Sequence, residues 1–249
     1  AEQSKTYFDS MYKTVTSMLS KTGGLNHPYL KAGDSEKKAV IVITSNRGLA
    51  GGYNSNVTKL ITKGEFKKED LVLYTIGKKG NETFRRMGYN VAWDNAEMIE
   101  EPKYDDAMKL SKEILTGFSN GEFGEIYLAY TAFKNTVSHI PTLMKVLPVE
   151  VEEKEDNQKE KKAEALMNFE TDEEEALNMI IPKYVTSLIY GGMVEAVASE
   201  NGARMQAMDS ATSNAEDIIS TLSLQYNRAR QGSITQELTE IIAGAEAIS

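Results

Sequence analysis

The glycine-rich segment at residues 44–52 is the part of this sequence whose residue types and spacing could support chemistry. It follows an apolar, β-branched run and precedes a helical pattern, the setting in which a loop between a strand and a helix binds phosphate groups. Its glycines stand at positions 48, 51 and 52, which is not G-x-G-x-x-G, and the chain contains no Gly-Lys-Ser or Gly-Lys-Thr. This spacing favours a tight turn between strand and helix, with a nucleotide-binding enzyme as the alternative.

Other catalytic or metal-binding patterns are weaker still. The chain has only two histidines, His27 and His139, and neither has a local cluster of ligands or a nucleophile beside it in the sequence. It has no cysteine, which excludes disulfides, thiolate metal sites and cysteine nucleophiles. Acidic residues are frequent in residues 150–175 but lack EF-hand spacing. The sequence therefore predicts no catalytic residue, no metal site and no cofactor.

The net charge of −9 is concentrated in one segment. Residues 150–175 contain twelve Asp or Glu and four Lys, a net charge of −8, so the rest of the chain carries only −1. Such a chain lacks the basic face that is typical of nucleic-acid-binding proteins. The acidic segment itself is typical of a solvated loop or helix surface.

Length and composition are those of a globular protein. The 249 residues suffice for one large or two small domains, and 41% of them are apolar and 26% charged. No apolar run approaches the ~20 residues of a membrane-spanning helix. Residues 1–10 lack the basic and apolar layout of a secretory signal. We therefore expect neither a membrane span nor a secretory signal.

Three regions differ in their hydrophobic pattern. Residues 1–21 predict a helix with one apolar stripe, ended by the glycines that follow. The stripe consists of Phe8, Met11, Val15 and Met18. Residues 36–149 alternate between strand and helix patterns, which predicts a parallel or mostly parallel α/β layer fold. A helical pattern then returns near Thr171.

The middle region predicts five strands and three helices. The strands are expected at residues 39–44, 71–76, 89–93, 125–130 and 139–149, and the helices at residues 54–63, at a segment ending near Met87, and at residues 105–118. The first strand is a continuous apolar run, the pattern of a strand buried on both faces. In the third helix Met108, Ile114 and Leu115 are expected to face the sheet. Pro141 and Pro148 are expected to bound the last strand.

A long helix is predicted from Thr171 onwards. Thr171 and Glu174 have capping-box spacing, and Pro182 is expected to kink or restart the helix. The 67 residues after it contain no proline and would span about 100 Å as one helix. A heptad seam within them predicts a partner helix. The seam consists of Ala211, Ala215, Ile218, Leu222, Gln225, Ala229, Gly232 and Gln236. The side chains of the seam become small and polar towards the C-terminus, so the predicted coiled coil is thin and buries little apolar area.

Several segments resemble the sequence signature of one family, the gamma subunits of bacterial-type F-type ATP synthases. The C-terminal signature is carried by residues 203–212 (ARMQAMDSAT), 222–231 (LSLQYNRARQ) and 234–242 (ITQELTEII), followed by Gly244 and Ala245. Residues 43–54 (ITSNRGLAGGYN) are similar to a second landmark of the family. The resemblance extends over essentially the whole chain.

The resemblance implies a Rossmann-like, mostly parallel α/β domain with long terminal helices that form an antiparallel coiled coil. Residues 1–22 would be the lower end of the N-terminal helix, 36–149 the α/β foot domain, 150–170 an acidic connector, and 171–249 the long C-terminal helix. Family members normally begin with a further basic helical segment that has no counterpart before Ala1. The C-terminal half of the long helix is therefore expected to lack its partner here.

The resemblance also implies a function. The chain would be the central-stalk rotor of an F-type ATP synthase, coupling ion flow through the membrane c ring to conformational cycling of the catalytic beta subunits. ATP hydrolysis would drive it in reverse. It would contact three alpha and three beta subunits, the epsilon subunit and the c ring, at the cytoplasmic face of the bacterial plasma membrane. It would catalyse no reaction by itself and bind no nucleic acid.

Two groups of residues are implied as partner contacts. The first aligns with positions at which the family's long helix grips a loop of the beta subunit. We name it the catch surface; its members are Arg230, Gln231, Thr235 and Glu237. Arg can make forked hydrogen bonds to a carboxylate, whereas Thr and Gln reach neutral partners. The second group, Phe169 and Glu170, lies near the family's foot surface, where contact with the epsilon subunit and the c ring is expected.

Overall fold

Five strands and four α-helices make up the described part of the chain. The structure is a computed structural model, and it describes residues 28–149 and 173–247. The strands are β1 (Lys38–Ile43), β2 (Leu71–Ile76), β3 (Val91–Asn95), β4 (Glu125–Phe133) and β5 (His139–Leu147). The helices are α1 (Tyr53–Thr62), α2 (Lys78–Arg86), α3 (Tyr104–Ser119) and α4 (Glu173–Glu246). The helix predicted at residues 1–21, the capping residue Thr171 and the acidic connector at residues 150–170 lie outside the described residues.

The strands form one mixed sheet in the order β3-β2-β1-β4-β5. β1 pairs in parallel with β2 and with β4, and β2 pairs in parallel with β3. β5 runs antiparallel to β4, because the short loop at residues 134–138 returns the chain directly as a hairpin does. The expectation of a mostly parallel sheet is confirmed.

The central strand β1 is buried on both faces. Residues 39–43 are fully enclosed, as their continuous apolar run predicts. Val40 and Val42 pack with apolar residues of α1 and α2 on one face. Ile41 and Ile43 pack with α3 and the first part of α4 on the other face. Each face of the sheet thus carries a helical layer, and α4 begins as part of one of them.

One side chain of α3 departs from the predicted pattern. Ile114 and Leu115 are buried as predicted, but the inward placement of Met108 is wrong, because its side chain is 50% exposed. The helix turns Ala107 and Leu110 towards the sheet, and both are buried. Met108 lies on the same side of α3 as Leu115, seven residues later, but it borders an open groove beside Tyr104 and Pro182, so solvent reaches its side chain.

Two prolines also sit differently from the prediction. Pro141 lies inside β5, opposite Thr131, and not at the end of the strand. Because β5 is an edge strand, the missing N–H of this proline need not face a neighbouring strand. Pro182 lies inside α4, which continues through it as one helix, so the predicted restart is wrong and the predicted kink stays a prediction. Buried neighbours such as Ile181 and Val185 hold the helix against the core and offset the lost backbone hydrogen bond.

The first part of α4 is a core helix, and its later part is exposed. Buried residues recur every four positions: Leu177, Ile181, Val185, Ile189 and Met193. The chain divides into two compact units, one ending at Arg204 and one beginning at Met205. From Met208 to Ala247 every residue is exposed. None of the helices in residues 28–149 and 173–247 combines the length and apolar character that crossing a bilayer requires.

Candidate functional site

The backbone N–H groups that begin α2 are already bound by the segment that follows β1. The N–H of Lys78 donates to Oδ1 of Asn46 (2.9 Å), and the N–H of Lys79 donates to the carbonyl oxygen of Ser45 (3.0 Å). The N–H of Gly80 donates to Oγ1 of Thr44 (2.9 Å). A phosphate at a helix N-terminus needs these N–H groups free. Protein oxygens therefore occupy the positions that phosphate oxygens would take at α2.

The glycine-rich segment closes on itself as a tight turn, as its spacing predicts. The N–H of Ser45 donates to Oδ1 of Asn54 (2.9 Å), and its hydroxyl donates to the carbonyl oxygen of Arg47 (2.6 Å). Leu49 and Gly51 have φ of 61° and 55°, the left-handed region that lets a chain reverse within a few residues. Oxygens and N–H groups of this turn are thus used to hold the turn itself.

Helix α4 crosses the carboxyl ends of β1 and β4, the point where sheets of this kind bind ligands. Oε2 of Glu195 accepts a hydrogen bond from the N–H of Phe133 (3.1 Å), at the end of β4. The hydroxyl of Tyr53 donates to the carbonyl oxygen of Ala196 (3.0 Å). Ala196 is fully buried, so this crevice is filled by the chain's own helix.

One turn further along, α4 touches the β4–β5 hairpin and the glycine-rich turn. A methyl group on Gly202 would stand 2.5 Å from Nε2 of His139, so only glycine allows the helix to lie this close. That nitrogen is buried and has no hydrogen-bond partner in the described part of the chain. Arg204 is paired with Glu200 (2.6 Å) and reaches the carbonyl oxygen of Gly48 (3.5 Å).

Two tyrosines at this junction have raised pKa values. Burial, and secondarily the carboxylate of Glu200, raises the pKa of Tyr53 well above its ordinary value. Burial and the carboxylate of Glu195 raise the pKa of Tyr130 to about 12. Both phenols therefore remain protonated at neutral pH, and Tyr53 remains a hydrogen-bond donor to α4.

The catch surface lies on the exposed part of α4. The side chains of Arg230 and Glu237 make no ion pair with any residue in the described ranges. The hydroxyl of Thr235 donates to the carbonyl oxygen of Gln231 (2.8 Å), one turn back on the same helix. Phe169 and Glu170, the expected foot contacts, lie outside the described residues. The structure thus brings the four catch residues onto neighbouring turns of one helix, and their role as contacts stays a prediction.

The heptad seam is exposed along its whole length. All eight of its positions, from Ala211 to Gln236, are accessible to solvent, so the described residues supply no partner helix for it. Large apolar side chains on flanking faces are exposed as well, among them Ile219 (63%) and Tyr226 (67%).

Within residues 28–149 and 173–247, no three His, Asp or Glu side chains converge where a metal ion could be held.

Sequence reasoning did not find the residues that hold α4 to the sheet. Glu195 and Ser199 belong to no motif, Tyr53 lies in the landmark at residues 43–54 but was given no role, and the partners of all three are distant in the chain. One signal was present: Glu195 is a charged residue between Met193 and Ala196, within a run whose neighbours are apolar. A charge in such a run needs a partner when it is buried.

Known proteins of similar sequence belong to one class. A family model for ATP synthase matches residues 1–248. The chain is 62% identical over 253 residues to the ATP synthase gamma chain of Lachnoclostridium phytofermentans, covering 100% of this chain and 87% of that protein. It is 39% identical over 263 residues to the sodium-ion-specific ATP synthase gamma chain of Acetobacterium woodii, again covering 100% of this chain and 87% of the relative.

Solved structures share the fold at low sequence identity. A chain of the Euglena gracilis mitochondrial ATP synthase matches with a TM-score of 0.65 at 19% identity, covering 99% of this chain and 91% of that chain. A chain from the central stalk and c ring of the Tetrahymena thermophila mitochondrial ATP synthase matches with a TM-score of 0.54 at 21% identity, covering 85% and 98%.

Fold, site and relatives together define a rotor-type subunit rather than an enzyme. The chain belongs to the ATP synthase gamma chain family. Gamma chains are non-catalytic and form the central stalk of the F-type ATP synthase. This assignment agrees with the occupied N–H groups of α2 and the filled crevice at β1 and β4, and the nucleotide-binding alternative is not supported.

Proposed function

We propose that this chain turns inside a ring of three alpha and three beta subunits and passes torque between that ring and the membrane c ring. Its α/β domain is the foot that meets the c ring and the epsilon subunit, at the cytoplasmic face of the bacterial plasma membrane. The chain contributes contacts and stiffness rather than chemistry. By contacting each beta subunit differently, it biases the conformation that each one adopts.

The observation that carries this proposal is the exposure of residues 208–247. A single helix of this length with apolar side chains on several faces requires neighbours on more than one side. A short heptad partner would cover only the narrow seam, leaving residues such as Tyr226 and Ile241 in water. A surrounding ring of subunits covers all faces, as the function requires of a shaft.

The charges of this exposed part support Arg230 as the proposed contact with a beta subunit. Arg228 and Arg230 are the only basic residues after Arg204, and two residues on a helix point about 200° apart. Arg230 shares a face with Glu237, seven residues or nearly two turns away, and the neighbouring row holds Gln231 and Thr235. This mixed face suits a polar loop that carries a carboxylate for the guanidinium.

The test replaces both charges of the catch surface, Arg230→Ala with Glu237→Ala, in a complex reconstituted with alpha, beta and epsilon subunits and the c ring. Removing one partner of a desolvated charged contact typically costs about 2–5 kcal/mol, whereas alanine preserves the helix. We expect normal assembly, with ATP hydrolysis and rotation slowed about tenfold or more. Arg228→Ala is the matched control, because it removes an equal charge from another face of the same turn.

Two results would contradict the catch assignment. Unchanged turnover and rotation in the double variant would make these residues solvated bystanders. Equal slowing by Arg228→Ala would show that any positive charge near this position serves, without a specific face. If the unaltered chain failed to support rotation, the assignment of the whole chain as rotor would be wrong.

A further inference from the structure

Three polar contacts hold α4 to the α/β domain just before the helix becomes exposed, two of them from β4 and one from the first residue of α1. Glu195 accepts from the N–H of Phe133 at 3.1 Å, and the Ser199 hydroxyl donates to the carbonyl oxygen of Thr131 at 3.1 Å. The Tyr53 hydroxyl donates to the carbonyl oxygen of Ala196 at 3.0 Å. Positions 195, 196 and 199 lie on one side of a helix, since residues four apart are neighbours there. Two of the contacts therefore join α4 to the carboxyl end of β4, and the third joins it to the start of α1.

Two of these contacts, those of Tyr53 and Ser199, are shielded from water, and the contact of Glu195 is part-buried. Ser199 and Ala196 are fully buried, and Tyr53 is 5% exposed. A hydrogen bond in such surroundings is stronger than one at the surface, and water cannot replace a partner that is lost. The tight fit of Gly202 against His139 continues the same contact by one further turn.

The apolar stripe of α4 already opposes rotation of the helix about its own axis, because turning it would expose buried side chains such as Ile181, Val185 and Ile189. The hydrogen bonds add a directional restraint at the last buried turns, where this stripe ends. Hydrogen bonds weaken steeply when their angles change, so three of them on one face fix the rotational phase of the helix. Among the described residues, torque applied to α4 beyond Met208 reaches the sheet through the segment that these bonds hold.

We propose that Tyr53, Glu195 and Ser199 form a torque clamp that locks the rotational phase of α4 to the α/β domain. The clamp rests on the proposed rotor function. It adds the place where torque passes between the α/β domain and the exposed part of α4. The three residues are positioning residues, because they act through α4. When torque is applied to the exposed part of α4 and the clamp is missing, the helix rotates about its own axis relative to the α/β domain.

The experiment compares two activities of the reconstituted ATP synthase: ATP hydrolysis without an ion gradient, in which the rotor turns without load, and ATP synthesis, in which it turns under load. Tyr53→Phe with Ser199→Ala removes two hydroxyl groups and little else. We expect ATP hydrolysis without an ion gradient to stay within about twofold of the unaltered complex. ATP synthesis against a full load should fall about fivefold or more, the factor that corresponds to one buried hydrogen bond. Glu195→Gln keeps a carbonyl oxygen for the N–H of Phe133 and should retain most synthesis, whereas Glu195→Ala should not.

A second measurement separates the clamp from a folding defect. Hydrogen exchange on the whole chain should show faster exchange in residues 196–204 of the double variant and unchanged exchange in β1 and β4. Equal losses of synthesis and hydrolysis, or full synthesis in the double variant, would overturn the clamp. The unaltered chain is the reference for function: if it supports coupled synthesis and the variant does too, only the clamp is wrong.

Discussion

Oδ1 of Asn46 lies 2.9 Å from the backbone nitrogen of Lys78 and caps the first turn of α2 from a different loop of the chain. The amide of the same side chain donates to the carbonyl oxygen of Ala96 (2.7 Å) and to Glu100 (3.0 Å). One asparagine thus joins the turn after β1, the start of α2 and the segment after β3. The three loops at the carboxyl end of the sheet are held together by this residue.

Replacing Asn46 by alanine should therefore destabilise the fold. Loss of a helix cap costs about 0.5–2 kcal/mol, and the two further hydrogen bonds place Asn46→Ala at the upper end of that range. Urea unfolding of the whole chain measures the change. Asn90→Ala is the control, because Asn90 is exposed and its side chain makes no hydrogen bond with the described residues. Equal midpoints for the two variants would contradict the capping role.

The isolated chain should not bind ATP at micromolar concentration. The glycine-rich turn before α1 uses the N–H and hydroxyl of Ser45 to bind Asn54 and Arg47, and no Gly-Lys-Ser or Gly-Lys-Thr is present to hold phosphates. Isothermal titration calorimetry with ATP and Mg²⁺ tests this directly. Micromolar binding that disappears in Arg47→Ala or Gly48→Ala would reverse the conclusion and favour the nucleotide-binding alternative.

Gly202 should tolerate no larger residue, although it lies in a helix. Gly→Ala in an open helix position is favourable by about 1 kcal/mol, and Gly232, with no atom within 4 Å of an added methyl, is such a position. At Gly202 the methyl would meet His139, so Gly202→Ala should destabilise by about 1–3 kcal/mol. Thermal unfolding of both single variants measures the contrast.

A second substitution shows whether the histidine causes this loss. Gly202→Ala combined with His139→Ala should recover part of the stability lost in the Gly202 variant, after correction for His139→Ala alone. Simple additivity of the two changes would mean that the methyl group and the imidazole do not interact. The carbonyl oxygen of Thr136, 3.2 Å from the added methyl, limits the recovery because backbone moves less readily.

The Glu125 carboxylate should make stability depend on acid pH. Partial burial alone would raise the pKa of Glu125, but hydrogen bonds from Lys38, Lys145 and Tyr127 outweigh it and lower the pKa below the ordinary value. Lys145 lies 3.0 Å away, and Lys38 is also paired with this carboxylate. The contribution is therefore complete above the pKa of the unfolded chain, about 4.3, and is lost as pH falls through the lower folded value.

Stability profiles of Glu125→Gln and the unaltered chain test this sign. The glutamine variant should be less stable at neutral pH, and the difference should shrink as the pH falls below about 4.3. Glu82→Gln is the control, since Glu82 is half-exposed and pairs with Lys79 at 3.4 Å on the surface. Its profile should match that of the unaltered chain within error, because surface pairs contribute little. A constant difference at all pH values would rule out a titrating contribution from Glu125.

Local features of the structure were determined by the sequence itself. The apolar run at residues 39–43 predicts a strand buried on both faces, and that strand is central in the sheet. The glycine spacing at residues 48–52 predicts a tight turn, and the turn is present. The long proline-free helical pattern predicts one long helix, and α4 runs to Glu246. Each of these follows from neighbours within a few residues, because helix and strand periods are local properties of the chain.

Only the tertiary structure decided which residues hold α4 in place. Glu195 and its partner Phe133 are 62 residues apart, and Tyr53 and Ala196 are 143 apart. Whether they meet depends on the strand order and on where α4 crosses the sheet, and no local pattern encodes either. The exposure of Met108 has the same origin: Leu115 lies on the same side of α3 and is buried, so the neighbouring elements decide which of the two side chains solvent reaches. Contacts between distant residues depend on how whole helices and strands pack together. The hydrophobic periodicity of a single helix or strand carries no information about that packing.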